Sequence, residues 1–137
     1  MARALVDTNV LVYSVDLHEP KKRAVSIDLV GRLAADGDLV LSAQCLNEFS
    51  AAALRRGMSI SEVIAAVEQW QSAADLLPLV SAATTAALNA VSRHRISFWD
   101  ALIWATARDA GISIVFSEDF QHGRTLEGVQ FLNPFLA

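Results

Sequence analysis

Short apolar runs alternate along the chain with longer stretches whose apolar residues recur at helical spacing. The runs predict five buried strands, at residues 4–6, 39–41, 76–80, 112–116 and 129–132. The periodic stretches predict six helices between them, at residues 10–15, 21–35, 43–56, 60–72, 82–94 and 98–111. Strands that alternate with helices favour a parallel sheet covered on both faces. We therefore predict an α/β fold: a single domain over residues 1–137, with a central, mostly parallel sheet of four to five strands and helices on both faces.

Turn and capping residues mark several of the predicted boundaries. The Asp36-Gly37 turn ends one helix, and Gly57 ends the helix that Ser42 caps. Ser59 and Glu62 have the spacing of a capping box, and Ser97 is the expected cap of an unusually apolar helix. The chain has no long linker, low-complexity tract or internal repeat, as expected for one compact unit.

Two aspartates follow predicted strands. Asp7 comes directly after the first strand, and Asp119 lies just past the strand at residues 112–116. Ligands of open α/β sheets bind at the carboxyl ends of the strands, so both are candidate functional residues. Each alone could equally be a turn residue, because aspartate often bonds its own backbone at such positions.

Two further acids lie on predicted helices. Asp100 shares a helix face with apolar residues such as Trp104, which directs it toward the core, where a carboxylate needs compensation. The alternative is that Asp100 completes a capping box with Ser97. Glu48 lies beside the apolar arc of its helix, and its alternative is a surface ion pair with Arg55.

Composition limits the class of protein. The chain is 53% hydrophobic, so it could expose some apolar surface to a partner. No apolar run approaches the roughly 18 residues of a membrane span, and no signal peptide is evident, so we expect a soluble, cytoplasmic protein. The single cysteine excludes a disulfide framework, and the three scattered histidines offer no zinc spacing. Any metal must therefore bind to oxygen ligands.

The formal net charge of −4 does not exclude a nucleic-acid partner. Basic clusters at residues 21–23, 55–56 and 93–95, together with Arg124, could meet phosphates, although solvated helix ends are the alternative explanation. If the four acids converge, carboxylates about 4 Å apart repel by about 4 kcal/mol per pair at an effective dielectric near ~20. Such a cluster must bind protons or a divalent cation, and oxygen ligands suit Mg²⁺ or Mn²⁺.

Taken in order, these motifs resemble the PIN-domain ribonucleases, specifically the VapC-like toxins of bacterial toxin–antitoxin pairs. The resemblance covers nearly the whole chain and rests on four segments: VDTNVLV at 6–12, LNEF at 46–49, FWDALIWA at 98–105 and SEDFQHG at 117–123. It implies an acidic catalytic quartet made of Asp7, Glu48, Asp100 and Asp119. It also implies that Asn9 and Ser117 are polar helpers that position the substrate. Glu118 leaves the fourth assignment open, because it lies beside Asp119.

The resemblance further implies metal-assisted hydrolysis of RNA phosphodiester bonds. Asp7 and Asp100 would be the principal direct ligands of Mg²⁺ or Mn²⁺, and Glu48 and Asp119 would bind a second metal or orient water. VapC-like toxins are typically dimers silenced by a cognate antitoxin. The expected partners are therefore RNA, a VapB-like antitoxin and a second copy of the chain, with no membrane.

Other functions compete with this one. The segment after the first strand superficially resembles haloacid-dehalogenase-like phosphatases, but these need a second aspartate where this chain has Asn9. A receiver domain needs a lysine near its acidic pocket, and Lys21 and Lys22 lie too early in the chain. A non-catalytic PIN-like module that binds RNA or protein stays open, because sequence does not prove turnover.

Three other residue types carry expectations of their own. Trp70, Trp99 and Trp104 have apolar helical surroundings, which favours the core over RNA-stacking surfaces. Cys45 is expected to be buried and unreactive. His122 is expected to be an exposed loop histidine, with a phosphate contact or water positioning as the alternative.

Overall fold

A six-stranded sheet runs through the computed structural model, which describes residues 2–136. Its strands are β1 (Ala4–Val6), β2 (Leu39–Ser42), β3 (Asp75–Leu77), β4 (Ile114–Phe116), β5 (Thr125–Leu126) and β6 (Val129–Leu132). The spatial order is β3-β2-β1-β4-β6-β5, and every pair is parallel except β5 with β6. All residues of β1 and β2 are buried. Because successive side chains point to opposite faces of a sheet, this burial means that both faces are covered.

The helices fill the connections between the strands. They are α1 (Thr8–Tyr13), α2 (Pro20–Ala35), α3 (Ala43–Arg55), α4 (Ile60–Ala73), α5 (Ser81–His94) and α6 (Phe98–Asp109). The hydroxyl groups of Ser42, Ser59 and Ser97 accept the capping bonds that the sequence predicts, and Ser59 with Glu62 forms a complete capping box. None of the helices formed by residues 2–136 has both the length and the apolar character to span a membrane.

The α/β fold with a mostly parallel, helix-flanked sheet is confirmed, and the structure differs from the prediction in three details. It has six strands where four to five were predicted, because β5 has only two residues and pairs with β6 alone. The third strand ends at Leu77, since Pro78 follows and has no N–H to donate. The first helix begins at Thr8, two residues earlier than predicted, because the Asp7 side chain caps it.

The core supports the edge of the sheet where the strands end. Residues 101–107 of α6 are all buried, and Trp104 donates its Nε1 proton to the Leu126 carbonyl oxygen at 3.1 Å. Trp70 is half-buried against Phe49, so two of the three tryptophans belong to the core as predicted. The prediction is wrong for Trp99, whose side chain is 59% exposed. The reason is its place in the first turn of α6, before the buried part of the helix begins.

Candidate active site

Three of the four predicted acids follow neighbouring strands that end at the same edge of the sheet. Asp7 follows β1, Ser117 and Asp119 follow β4, and α3 with Glu48 follows β2. Since β2, β1 and β4 are adjacent and parallel, the segments that follow them meet at their carboxyl ends. The first turn of α6 brings Asp100 to the same place.

The four carboxylates converge around Asp7. Oxygen atoms of Asp7, Asp100 and Asp119 all lie within 4.8 Å of one another. A carboxylate oxygen of Glu48, the Cys45 sulfur and Asp7 form a second group within the same distance. The structure therefore places all four residues of the predicted quartet at one site, and Asp7 belongs to both groups.

Asp7 is the most buried of the four acids, with 2% of its surface exposed. Its Oδ1 accepts a bond from the Thr8 N–H at 2.7 Å, and its Oδ2 accepts one from the Ser117 hydroxyl at 2.7 Å. Burial raises the pKa of Asp7 to about 7, the bonds from Ser117 and Thr8 oppose this rise, and the carboxylates of Asp119 and Asp100 add to it. Without a cation, this carboxyl group is therefore only about half ionised near neutral pH.

Asn9 and Ser117, predicted as polar helpers, both contact the buried acid. Asn9 donates its Nδ2 protons to Asp7 Oδ2 at 3.5 Å and to Ser117 Oγ at 3.2 Å. The Ser117 Oγ also accepts the Asp119 N–H at 3.1 Å, and Asn9 Oδ1 accepts the Glu118 N–H at 3.2 Å. These bonds tie the segment after β4 to the start of α1, and so fix Asp119 relative to Asp7.

Glu48 is oriented by a residue that the sequence did not single out. The Thr8 hydroxyl donates to Glu48 Oε1 at 2.8 Å, which joins α1 to α3. Among residues 2–136, no ion pair links Glu48 to Arg55, so the surface-pair alternative is not what the side chain does. The position of Thr8 directly after Asp7 is the only signal in the sequence that could have pointed to it.

Asp100 is half-buried and faces the other acids. Burial raises the pKa of Asp100, the Ser97 hydroxyl opposes this rise, and the carboxylates of Asp119 and Glu48 add to it. The Ser97 hydroxyl accepts the Asp100 N–H at 3.1 Å, but the reciprocal bond seen at Ser59 and Glu62 is not formed in the described part of the chain. The carboxylate thus makes no capping-box bond to the Ser97 backbone, and it faces the site.

Glu118, the alternative to Asp119 as the fourth acid, contacts residues outside the acidic cluster. Its carboxylate accepts a bond from the Tyr13 hydroxyl at 2.6 Å and pairs with the Lys22 ammonium at 2.6 Å. Burial alone would raise the pKa of Glu118, but Lys22 and Tyr13 outweigh it and lower the pKa. The Lys22 ammonium also lies 4.7 Å from the centre of the Tyr13 ring. Asp119, and not Glu118, therefore joins the acidic cluster.

We expect Lys22→Met to unfold at a slightly lower urea concentration than Lys21→Met, because it loses an ion pair that remains partly exposed to water. Lys21→Met is the matched control, because Lys21 is exposed and forms no ion pair among residues 2–136. Urea denaturation of the two variants at low and high salt measures the difference. Equal stability of the two variants would show that the Lys22–Glu118 pair does not hold the segment after β4.

The other residues singled out from the sequence are Cys45, His122 and the basic residues, and most of them contact neighbouring groups of the protein. Burial raises the pKa of Cys45 to about 12, so in the absence of a cation this group is a thiol; its Sγ lies 3.9 Å from Asp7 Oδ1. His122 is exposed as predicted, and its Nδ1 accepts the Asn133 N–H at 3.0 Å. Of the basic residues, Arg56 pairs with Asp16 at 2.8 Å and Arg124 donates to the His94 carbonyl oxygen at 3.1 Å.

The acids line an open cavity of about 600 Å³. Its wall combines the acidic cluster with the first turns of α1, one face of α3 and the start of α6. The lining residues beyond the acids and their partners include Tyr13, Arg55, Arg56, Trp99 and Ile103. The site is thus a cleft that a polymer could enter and leave, and not a closed pocket.

The fold and the site together define a class of protein. Its members are α/β domains that carry a carboxylate cluster at the carboxyl ends of the strands, where the two halves of the sheet meet. The sequence profile of the PIN domain matches residues 4–125. The chain therefore belongs to the PIN domain family. A search of curated protein sequences finds no match.

Solved structures share this fold at low sequence identity. Mycobacterium tuberculosis VapC20, described as a toxin that cleaves the sarcin–ricin loop, is 20% identical with a TM-score of 0.63, over 85% of this chain and 89% of that one. VapBC2 from Rickettsia felis, bound to a DNA fragment from its promoter, is 14% identical with a TM-score of 0.68, over 93% and 96%. DNA-bound VapBC from Salmonella typhimurium is 17% identical with a TM-score of 0.67, over 96% and 97%.

Proposed function

We propose that this chain is a metal-dependent endoribonuclease and the toxin of a toxin–antitoxin pair. The observation that carries the proposal is the convergence of Asp7, Asp100 and Asp119 within 4.8 Å, with Glu48 close to Asp7, at the wall of an open cleft in a PIN domain. The resemblance of the ordered motifs to VapC-like toxins supports RNA as the substrate.

The donor set fits a hard divalent cation. Ligands around one Mg²⁺ ion lie at most about 4.2 Å apart, since each bond is about 2.1 Å long, and the three aspartates are already close to this spacing. The high pKa of Asp7 also supports a cation, because a nearby positive charge would stabilise the charged carboxylate that burial disfavours. We assign Asp7 and Asp100 as direct ligands of Mg²⁺ or Mn²⁺. Asp119 and Glu48 complete the shell, hold a second ion or act through water.

A bound cation would lower the pKa of a coordinated water and offset the charge of the scissile phosphate. The side chains of the protein supply the geometry for this chemistry. Ser117 and Thr8 hold the two oxygens of Asp7, and Asn9 fixes the segment that carries Asp119. Thr8 engages Oε1 of Glu48, which leaves Oε2 free to orient the attacking water or to accept its proton.

Cleavage assays test the catalytic part of the proposal. Purified protein, freed of any bound inhibitor, is expected to cut a mixed RNA substrate with Mg²⁺ or Mn²⁺ and to stop when the metal is chelated. Asp7→Ala should be inactive, whereas Asp36→Ala, an exposed aspartate in the turn before β2, should cleave normally. Equal cleavage by wild type and Asp7→Ala would contradict the proposed site, and no cleavage by either protein would favour a non-catalytic PIN module. DNA of the same sequence serves as the substrate control.

Two protein partners belong to the same proposal: a VapB-like antitoxin and a second copy of the chain. Solved toxin–antitoxin complexes with this fold support the antitoxin. A second cavity of about 610 Å³ lies beside the acidic cleft and is lined by Val12, Val15, Leu17, Phe49 and Met58 among others. Leu17 is highly exposed there, as expected for a surface that a protein partner covers.

Expression in a bacterial host tests the partner. We expect the chain to arrest growth, Asp7→Ala to be harmless, and co-expression of a small neighbouring reading frame to relieve the arrest. Light scattering of the purified chain measures whether it is a dimer. If no neighbouring product relieves the arrest although cleavage is present, the enzyme proposal stands and the antitoxin proposal is wrong.

A further inference from the structure

The cleft contains an exposed tryptophan that has no role in the proposed metal-dependent hydrolysis. Trp99 lines the same cavity as Asp7, Asp100 and Asp119, and more than half of its surface is open to solvent. A large exposed indole at the wall of a polar cleft is typical of a surface that contacts a ligand, since the ring offers broad apolar area.

The backbone beneath Trp99 is held firmly. Gln44, which is buried, donates its Nε2 proton to the Trp99 carbonyl oxygen at 3.1 Å. The neighbouring Phe98 ring meets Trp99 in a T-shaped contact, with 5.4 Å between the ring centres and 72° between the planes. Among residues 2–136 no aromatic ring stacks on Trp99 in parallel, and no cation lies over it. The indole is therefore anchored, and its capacity for stacking is unused.

Arg55 adds a positive charge to the same cleft. It lies two helical turns after Glu48 on α3, so the two side chains share a helix face, and both line the cavity. The adjacent Arg56 is paired with Asp16, whereas no carboxylate among residues 2–136 pairs with Arg55. An unpaired guanidinium is well suited to phosphate oxygens, which it can bind through two parallel bonds.

A stacking ring and a phosphate-binding guanidinium beside the acidic cluster match the parts of one nucleotide. An aromatic side chain can stack on any base, but only when that base is not enclosed in a duplex. The cavity of about 600 Å³ lies in the ordinary size range of ligand sites, roughly 300–1,000 Å³. We propose that Trp99 and Arg55 are positioning residues that hold one unpaired nucleotide of the substrate next to the scissile bond, with its base stacked on the indole and a phosphate on the guanidinium. This inference rests on the proposed function and names two substrate-positioning residues of the same site.

Binding without turnover tests these two positioning residues directly. The full chain carrying Asp119→Asn, in Mg²⁺, is titrated with a short single-stranded oligoribonucleotide of mixed sequence and with the same strand annealed to its complement. The single strand is expected to quench tryptophan emission and to bind at least about tenfold more tightly than the duplex. Trp99→Phe should abolish the quenching yet keep the affinity within about threefold, because Trp70 and Trp104 lie in the core and the phenyl ring still stacks.

Alanine variants in the same background separate the two contacts. Trp99→Ala is expected to weaken single-strand binding about 10- to 100-fold, the range for the loss of one stacked base. Arg55→Ala should weaken binding and lower the slope of log affinity against log salt by about 1, as for one lost phosphate contact. Leu88→Ala is the control for Trp99 and Arg32→Ala the control for Arg55, because both residues lie outside the cavity.

Three results would overturn the inference: equal affinity for single strand and duplex, equal binding by Trp99→Ala and Leu88→Ala, or Trp99 emission that changes with protein concentration and not with RNA. The last result would show that Trp99 is a contact between copies of the chain. The proposed function is tested separately by cleavage. If wild type cleaves nothing but Trp99 and Arg55 bind the single strand, the enzyme proposal fails alone; if Trp99→Ala cleaves single strands as well as wild type, the positioning proposal fails alone.

Discussion

Asp100→Asn is expected to reduce RNA cleavage by on the order of 10²–10³-fold or more while the protein stays folded, the size of loss seen when one group that stabilises charge is removed from an active site. Asparagine keeps the shape of the side chain and the backbone bond to Ser97, but it removes a charged metal ligand. It also removes one of the charges that raise the pKa of Asp7, so folding of the metal-free protein should not suffer.

Single-turnover cleavage, circular dichroism and thermal melting measure this prediction together. Asp109→Asn is the matched control, because Asp109 is the last residue of the same helix and is exposed. If Asp100→Asn unfolds the protein while Mg²⁺ has no effect on wild type, the carboxylate has a structural role and the metal-site assignment is wrong.

The second large effect concerns stability without metal. Asp7→Asn is expected to stabilise the metal-free fold at pH 8 by up to about 4 kcal/mol, which is the free-energy equivalent of a pKa displaced from 3.8 to about 7. Well below the unfolded-state pKa of 3.8 the Asp7 carboxyl is protonated in the folded and unfolded states alike, so it then costs nothing. Between pH 4 and 7 the unfolded chain releases this proton first, and wild-type stability falls until the pH exceeds the folded-state pKa.

Urea denaturation in a chelator at pH 5 and pH 8 measures the effect. The stability difference between Asp7→Asn and wild type should be less than half as large at pH 5 as at pH 8. It should fall again when Mg²⁺ is added to wild type, because a cation stabilises the charged carboxylate. A wild type whose stability in chelator does not decline from pH 5 to pH 8 would show that burial does not disfavour the charge of Asp7. Asp36→Asn, at an exposed position, provides the control.

Much of the fold could be predicted from the sequence because its signals are local. A fully apolar run such as Ala4–Val6 identifies a strand buried on both faces, and a serine with a glutamate three residues later identifies the start of a helix. The two-residue strand β5 gives no such signal, since its pairing with β6 is a tertiary contact. The burial of a helix end also depends on tertiary contacts, which is why the sequence did not reveal that Trp99 is exposed.

The sequence was enough to nominate the acids of the candidate site, but not the hydrogen bonds and ion pairs that hold them in place. Strand ends nominated Asp7 and Asp119, and an apolar helix face nominated Asp100. The order of the motifs added Glu48 and joined the four acids into one set. The bond from Thr8 to Glu48 spans 40 positions in the chain, and the pair of Lys22 with Glu118 spans 96, so no pattern along the sequence reveals them. The pair of Lys22 with Glu118 decides between the neighbouring acids Glu118 and Asp119, because it holds the Glu118 carboxylate outside the acidic cluster.

The strand order has a consequence for when the site can exist. β1 lies between β2 and β4, so Asp7 receives its neighbours from two distant parts of the chain: Glu48 from the segment after β2, and Ser117 with Asp119 from the segment after β4. A nascent chain that ends before β4 has neither Ser117 nor Asp119, and one side of β1 is unpaired. The acidic cluster therefore assembles only once β4 and the segment that follows it have been synthesised, so any fragment that stops before Asp119 lacks the complete site.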